Sequence, residues 1–129
     1  MLSVYNKNNY FFRGVFMIDF IAYFFILFAF HCLGDFPLQG EFLAIQKSNS
    51  FYLLICHSAI YSLVLSSGFV FLSYVTNYQL CLDTYTFFFM TYMICFFSHV
   101  IIDWLKCQAN KISFMADQLL HMLVIVFLI

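Results

Sequence analysis

Four long apolar runs, each holding a single histidine, limit what this chain can become. They cover residues 17–34, 51–75, 84–106 and 113–129 and carry His31, His57, His99 and His121. A helix rises about 1.5 Å per residue, so about 20 apolar residues cross a hydrocarbon layer about 30 Å thick. Over all 129 residues, 65% are hydrophobic, 9% are charged and the mean hydropathy is +0.96. A soluble domain of this size has too little interior to hide that much apolar surface. The expected fold is all-α: an integral membrane bundle of four transmembrane helices, one histidine per helix. The fourth run, about 25 Å as a helix, is short for a span and should sit with little tilt or thin the bilayer.

Local signals punctuate these runs. Residues 1–16 form a polar N-terminal extension, and 17–129 should be one domain. No small-residue cleavage site follows the first run, so it reads as an uncleaved anchor. Gly34 and Pro37 end that helix, with Phe36 at the break because a residue before proline disfavours the helical region. Residues 37–46 then read as a short interfacial piece. Ser48, Asn49 and Ser50 offer caps for the second helix and Ser113 for the last, with a loop at 77–83 between the second and third. Ser58, Ser62, Ser66 and Gly68 give the second helix a line of small packing positions. Tyr52 and Trp104 suit the membrane interface. Cys32, Cys56, Cys81, Cys95 and Cys107 lack framework spacing and read as small buried hydrophobes. With five Lys+Arg and a net charge of -1, no basic patch exists to track a phosphate backbone, so no nucleic acid is expected as partner; the lipid bilayer is.

The ionisable residues are concentrated. His31 precedes Asp35 by four positions, His99 precedes Asp103 by four, and Asp117 precedes His121 by four. Such pairs share one helical face, with Cβ atoms roughly 6 Å apart. His57 has Tyr61 at the same spacing. Successive helices run in opposite directions, which puts all four histidines at one depth, roughly 5 to 12 Å below the same membrane face. Only Asp19 and Asp83 among the aspartates fall outside the set.

Ionisable groups inside spans are rare and costly, roughly 2.5 to 3.5 kcal/mol for one Asp at a helix centre. Three such carboxylates need a countercharge. A divalent metal ion (Zn, Mn or Fe) supplies it, because imidazole and carboxylate are its usual ligands and a four-helix bundle can gather them. The candidate ligands are His31, Asp35, His57, His99, Asp103, Asp117 and His121, with Gln39, Tyr61, Lys106 and Gln118 as groups that orient them. The competing explanation is that each Asp merely orients its neighbouring His, and that Asp117 favours the positive end of its helix.

The succession His31-x-x-x-Asp35-Phe36-x-x-Gln39, His57, His99-x-x-x-Asp103-x-x-Lys106, Asp117-Gln118-x-x-His121 resembles a family of small bacterial and phage membrane proteins known as domain of unknown function 3307. The resemblance runs from Met17 to the C-terminus. It implies a compact helical membrane protein and singles out these His, Asp and Gln positions, without supplying an activity. Pro37 and the polar extension before Met17 depart from the pattern, and Met17 stands as a candidate ancestral start.

Three functions fit. The first is a metal-dependent hydrolase at the membrane face, acting on a lipid-like or phosphoester substrate, with Asp35, Asp103 and Asp117 as catalytic carboxylates. The second is an ion or proton permease or small effector channel. The residues one helical turn after another beyond His31 are Leu27, Phe24 and Phe20, and beyond His99 are Cys95, Tyr92 and Phe88, so a conduit would require a homo-oligomer. The third is a non-catalytic module that holds a structural metal and recruits a protein partner. The expected location is the bacterial inner membrane, multi-pass. Lys47, Lys106 and Lys111 on the motif-bearing face outnumber Lys7 and Arg13, which puts the site on the cytoplasmic side and both termini outside.

Overall fold

The computed structural model describes residues 4–76 and 83–129, with side chains from Asp19 onward. Among these residues there are five helices and no strand: α1 (Val4–Asp35), α2 (Gly40–Gln46), α3 (Phe51–Val75), α4 (Thr84–Cys107) and α5 (Phe114–Leu128). The helix starts follow capping chemistry. Ser50 and Ser113 stand in extended backbone, and their hydroxyls accept from the amides of Leu53 and Ala116. Asp83 caps α4, accepting from the Thr86 amide and hydroxyl; these bonds hold its carboxyl below the usual carboxylate range. Between α1 and α2 the chain turns at residues 36–39, and Gly40 adopts a φ of +62°, a left-handed conformation glycine enters without steric cost. Helix is continuous through the polar stretch from Val4. Lys7 and Arg13 lie where side chains are not described, and Cys81 lies outside the described residues.

Two helices, α3 and α4, are long and apolar enough to cross a membrane. A third crossing is available if Asp19–Asp35 and α2, bent by 81°, form one broken span. Helix α5, expected to complete four spans, is apolar but only 15 residues long. The radial distribution agrees with a membrane setting. Phe25, Phe89, Phe97, Ile101, Leu123 and Phe127 are exposed, while four histidines, Asp35, Asp103 and Asp117 are buried. Water would reverse that arrangement; lipid favours it.

Helix α3 is central, packing most extensively on α4 and then on α1, while α5 closes on α4 and α1. Small residues permit this. Ser58, Ser62 and Ser66 are fully buried. Ser58 and Ser62 return their hydroxyls to carbonyls one turn back. Gly68 lies so close to α1 that an added Cβ would stand 2.7 Å from Phe30 Cγ. A buried apolar layer containing Leu27, Leu65, Cys95 and Ile125 separates the histidine end from a cavity of about 600 Å³ at the other end, lined in part by Asp19, Phe69, Thr76 and Phe87.

Candidate metal centre

The histidine rings converge. His57 and His99 have centroids 4.9 Å apart, His99 and His121 4.4 Å, and His31 and His121 5.5 Å. Each comes from a different helix, and the aspartates one turn away arrive with them. Paired isolation of each His with the Asp of its own helix is therefore not what the fold produces.

One group comprises Asp35, His57, His99 and Asp103, all buried, with donor atoms within 4.8 Å of one another. The Nε2 atoms of His57 and His99 are 3.0 Å apart. His57 Nε2 lies 3.2 Å from Asp35 Oδ1 and 3.4 Å from Asp103 Oδ2; His99 Nε2 lies 4.0 Å and 3.6 Å from the same two atoms. Donors bound at 2.0–2.1 Å around one tetrahedral centre would stand roughly 3.3–3.4 Å apart. The observed separations straddle that value, so these residues fit a small divalent cation. Asp35 Oδ1 has no hydrogen-bond partner among the described residues, which is the condition of an atom awaiting a ligand. The Nδ1 atoms of His57 and His99 also lack hydrogen-bond partners among the described residues.

A second group, Asp103, Asp117 and His121, adjoins the first and shares Asp103. His121 Nε2 is 3.6 Å from Asp103 Oδ1 and 3.6 Å from Asp117 Oδ1. None of these three atoms has a hydrogen-bond partner among the described residues. Buried His and Asp groups that could hold a metal ion thus come from all four longer helices: Asp35 from α1, His57 from α3, His99 and Asp103 from α4, and Asp117 and His121 from α5.

His31 stands apart from both groups. Gln118 explains why: its amide nitrogen donates to Asp35 Oδ2 at 3.1 Å and to Asp117 Oδ2 at 3.0 Å, so its oxygen is left to accept from His31 Nε2 at 3.1 Å. That proton assignment makes His31 Nδ1 an acceptor, and the Tyr61 hydroxyl donates to it at 3.0 Å. Both nitrogens are then in use. Tyr61, expected beside His57, instead bonds His31 and stacks on His99 at 3.8 Å, because the crossing of α1 and α3 turns it toward α1. Gln39 lies near the end of α1 with its side-chain oxygen buried and unbonded.

Two lysines complete the charge pattern. Lys106 donates to Asp117 Oδ2 at 2.7 Å and lies over the Phe114 ring. Lys47, which follows α2, donates to Asp103 Oδ2 at 2.7 Å, and Gln108 fixes the backbone there by donating to the Lys47 carbonyl. Lys47 was expected only as a loop charge. The available signal was its position beside a predicted interfacial piece: a lysine carried by an apolar connector has to bury its head against an acid or reach water. Two of the three lysines behind the cytoplasmic placement are therefore bonded inside the bundle.

No curated protein and no solved structure matches the chain. The two metal-competent groups, with Gln118 and both lysines, all lie within the stretch covered by one family model. That model, described as Protein of unknown function (DUF3307), matches residues 23–129, nearly the whole chain, and the protein belongs to this family.

Proposed function

We propose that the protein is a multi-pass protein of the bacterial inner membrane that binds a divalent cation, completes a bundle of four membrane-crossing helices around it with the histidines at a common depth, and hydrolyses a lipid-like or phosphoester substrate at the membrane face. The observation that carries the metal reading is the near-tetrahedral spacing of Asp35, His57, His99 and Asp103. Charge supports the substrate class. Three carboxylates against Lys47 and Lys106 leave one net negative charge with neutral imidazoles, and a divalent cation turns this into one net positive charge, suited to an anionic headgroup. A bound cation of this kind activates water and polarises a phosphoryl oxygen. In this reading Asp35, Asp103 and Asp117 are the candidate carboxylates to accept a proton from such a water. Helix α2 makes its helix contacts with α3 alone, and Lys47 at its end is bonded to Asp103, so movement of this element would uncover that carboxylate.

The buried apolar layer beyond the histidines speaks against a conduit within one chain. Complete burial of the donor atoms favours a second reading, a structural metal in a non-catalytic module, since closed sites leave no place for substrate. Purified protein, stripped and reloaded with Zn, Mn or Fe, should turn over lipid phosphodiesters or phosphomonoesters only when loaded, and Asp103→Asn should abolish turnover. Metal bound without turnover across such a panel leaves the structural reading in its place. Thiol labelling from either side of intact cells tests the orientation, for which loop charges on the site face now reduce to Lys111.

A further inference from the structure

We propose that the centre takes two divalent cations, the second seated on Asp103 Oδ1, Asp117 Oδ1 and His121 Nε2, with the Asp103 carboxylate bridging the pair. This rests on the metal-binding reading above and extends it.

The two oxygens of Asp103 face different neighbours. Oδ2 looks toward His57 and His99, at 3.4 and 3.6 Å, while Oδ1 looks toward His121 at 3.6 Å. A carboxylate shared in this way cannot give both oxygens to one small ion that is also ligated by His57, His99 and His121. Sharing between two ions resolves the geometry, as in two-metal sites generally.

The second group also has the chemistry of a cation site. Asp103 Oδ1, Asp117 Oδ1 and His121 Nε2 are buried with no hydrogen-bond partner among the described residues, and two carboxylate oxygens left unpaired around one imidazole nitrogen are costly unless a cation joins all three. Their outer contacts are already arranged. Lys106 and the Gln118 amide hold Asp117 by its other oxygen, Oδ2, which turns Oδ1 inward. Lys47 holds Asp103 by Oδ2. The lysines therefore orient the carboxylates and leave the inner lone pairs free.

The two positions differ in kind. The first offers four protein donors, the complement of a closed tetrahedral site, and the second offers three, which leaves a place for water or a substrate oxygen. The first position is the anchoring ion and the second the working one.

The test is stoichiometry by elemental analysis of full-length protein loaded with Mn in detergent and freed of excess metal, together with electron paramagnetic resonance of the same sample. The expected result is two ions per chain with an exchange-coupled signal in the wild type, falling to one ion with an isolated-ion signal in His121→Ala and in Asp117→Asn. One ion per chain in the wild type, or two ions retained in both variants, overturns the second position while leaving the single-metal reading intact. No ion in the wild type overturns both. If the variants do not fold, the wild-type count and coupling decide alone.

Discussion

Lys47 and Asp103, 56 residues apart in the chain, meet at 2.7 Å with both side chains buried. Removing one member of such a pair leaves a buried charge without its partner, at a cost of about 3–5 kcal/mol. Lys47→Met should therefore lower the unfolding midpoint of the metal-free protein in detergent. Added divalent cation should recover part of the loss by replacing the missing countercharge at Asp103. A loss of stability that metal leaves untouched would count against any cation near that carboxylate.

His31 and His57 should separate in their metal dependence. His57→Ala removes a donor of the four-residue group, and metal content should fall. His31→Ala removes hydrogen bonds to Tyr61 and Gln118, about 0.5–1.5 kcal/mol each, and should leave the ions in place. Parallel elemental analysis checks this, and equal metal loss in the two variants would return His31 to the ligand set.

Metal stabilisation should depend on pH with a definite sign. Imidazoles must be neutral to ligate, so ions are held above their titration range, near pH 6.5 for unperturbed histidine, and released as pH falls through it. At a cation concentration of 100 times Kd the bound form gains about 2.7 kcal/mol. Thermal midpoints with metal and with chelator should therefore diverge at pH 8 and merge near pH 5. Curves that remain parallel over that interval would show that the imidazoles are not ligands.

Gly68 and Gly40 should fail for different reasons when replaced by alanine. At Gly68 the new methyl would stand 2.7 Å from Phe30 Cγ and 2.9 Å from Cδ2. Such overpacking costs about 1–3 kcal/mol, and Phe30→Leu should relieve part of it. At Gly40 nothing lies within 4 Å, and the cost comes from its left-handed φ of +62°, about 1–2 kcal/mol. Phe30→Leu should not rescue that variant. Double-mutant melting curves distinguish the two.

The helix limits were legible because their causes are local. Ser50 and Ser113 announce their helices by capping chemistry, and Phe51–Val75 coincides with the expected second run. The convergence of His57, His99 and His121 was legible in part, since four-residue spacing puts His99 with Asp103 and His121 with Asp117 on one helical face each. What spacing cannot give is the rotation of one helix against its neighbour. That rotation sends Tyr61 to His31 instead of His57 and gives Gln118 three partners, two on α1 and one on its own helix. The Lys47–Asp103 pair was hidden for a related reason, being a contact between a connector and a helix far along the chain. A lysine near a loop looks the same in sequence whether it faces headgroups or an acid.

The partners of Asp35 impose an order of events. His57, His99 and the Gln118 amide, which surround its carboxylate at 3.2, 4.0 and 3.1 Å, are all C-terminal to it. During synthesis Asp35 is made before any of them, whereas Asp103 is made after Lys47 and His57 are already in the chain. The carboxylate ending α1 therefore gains these partners only as α3, α4 and α5 are added to the chain. A centre built this way is complete only when its earliest ligand is joined by its latest helix.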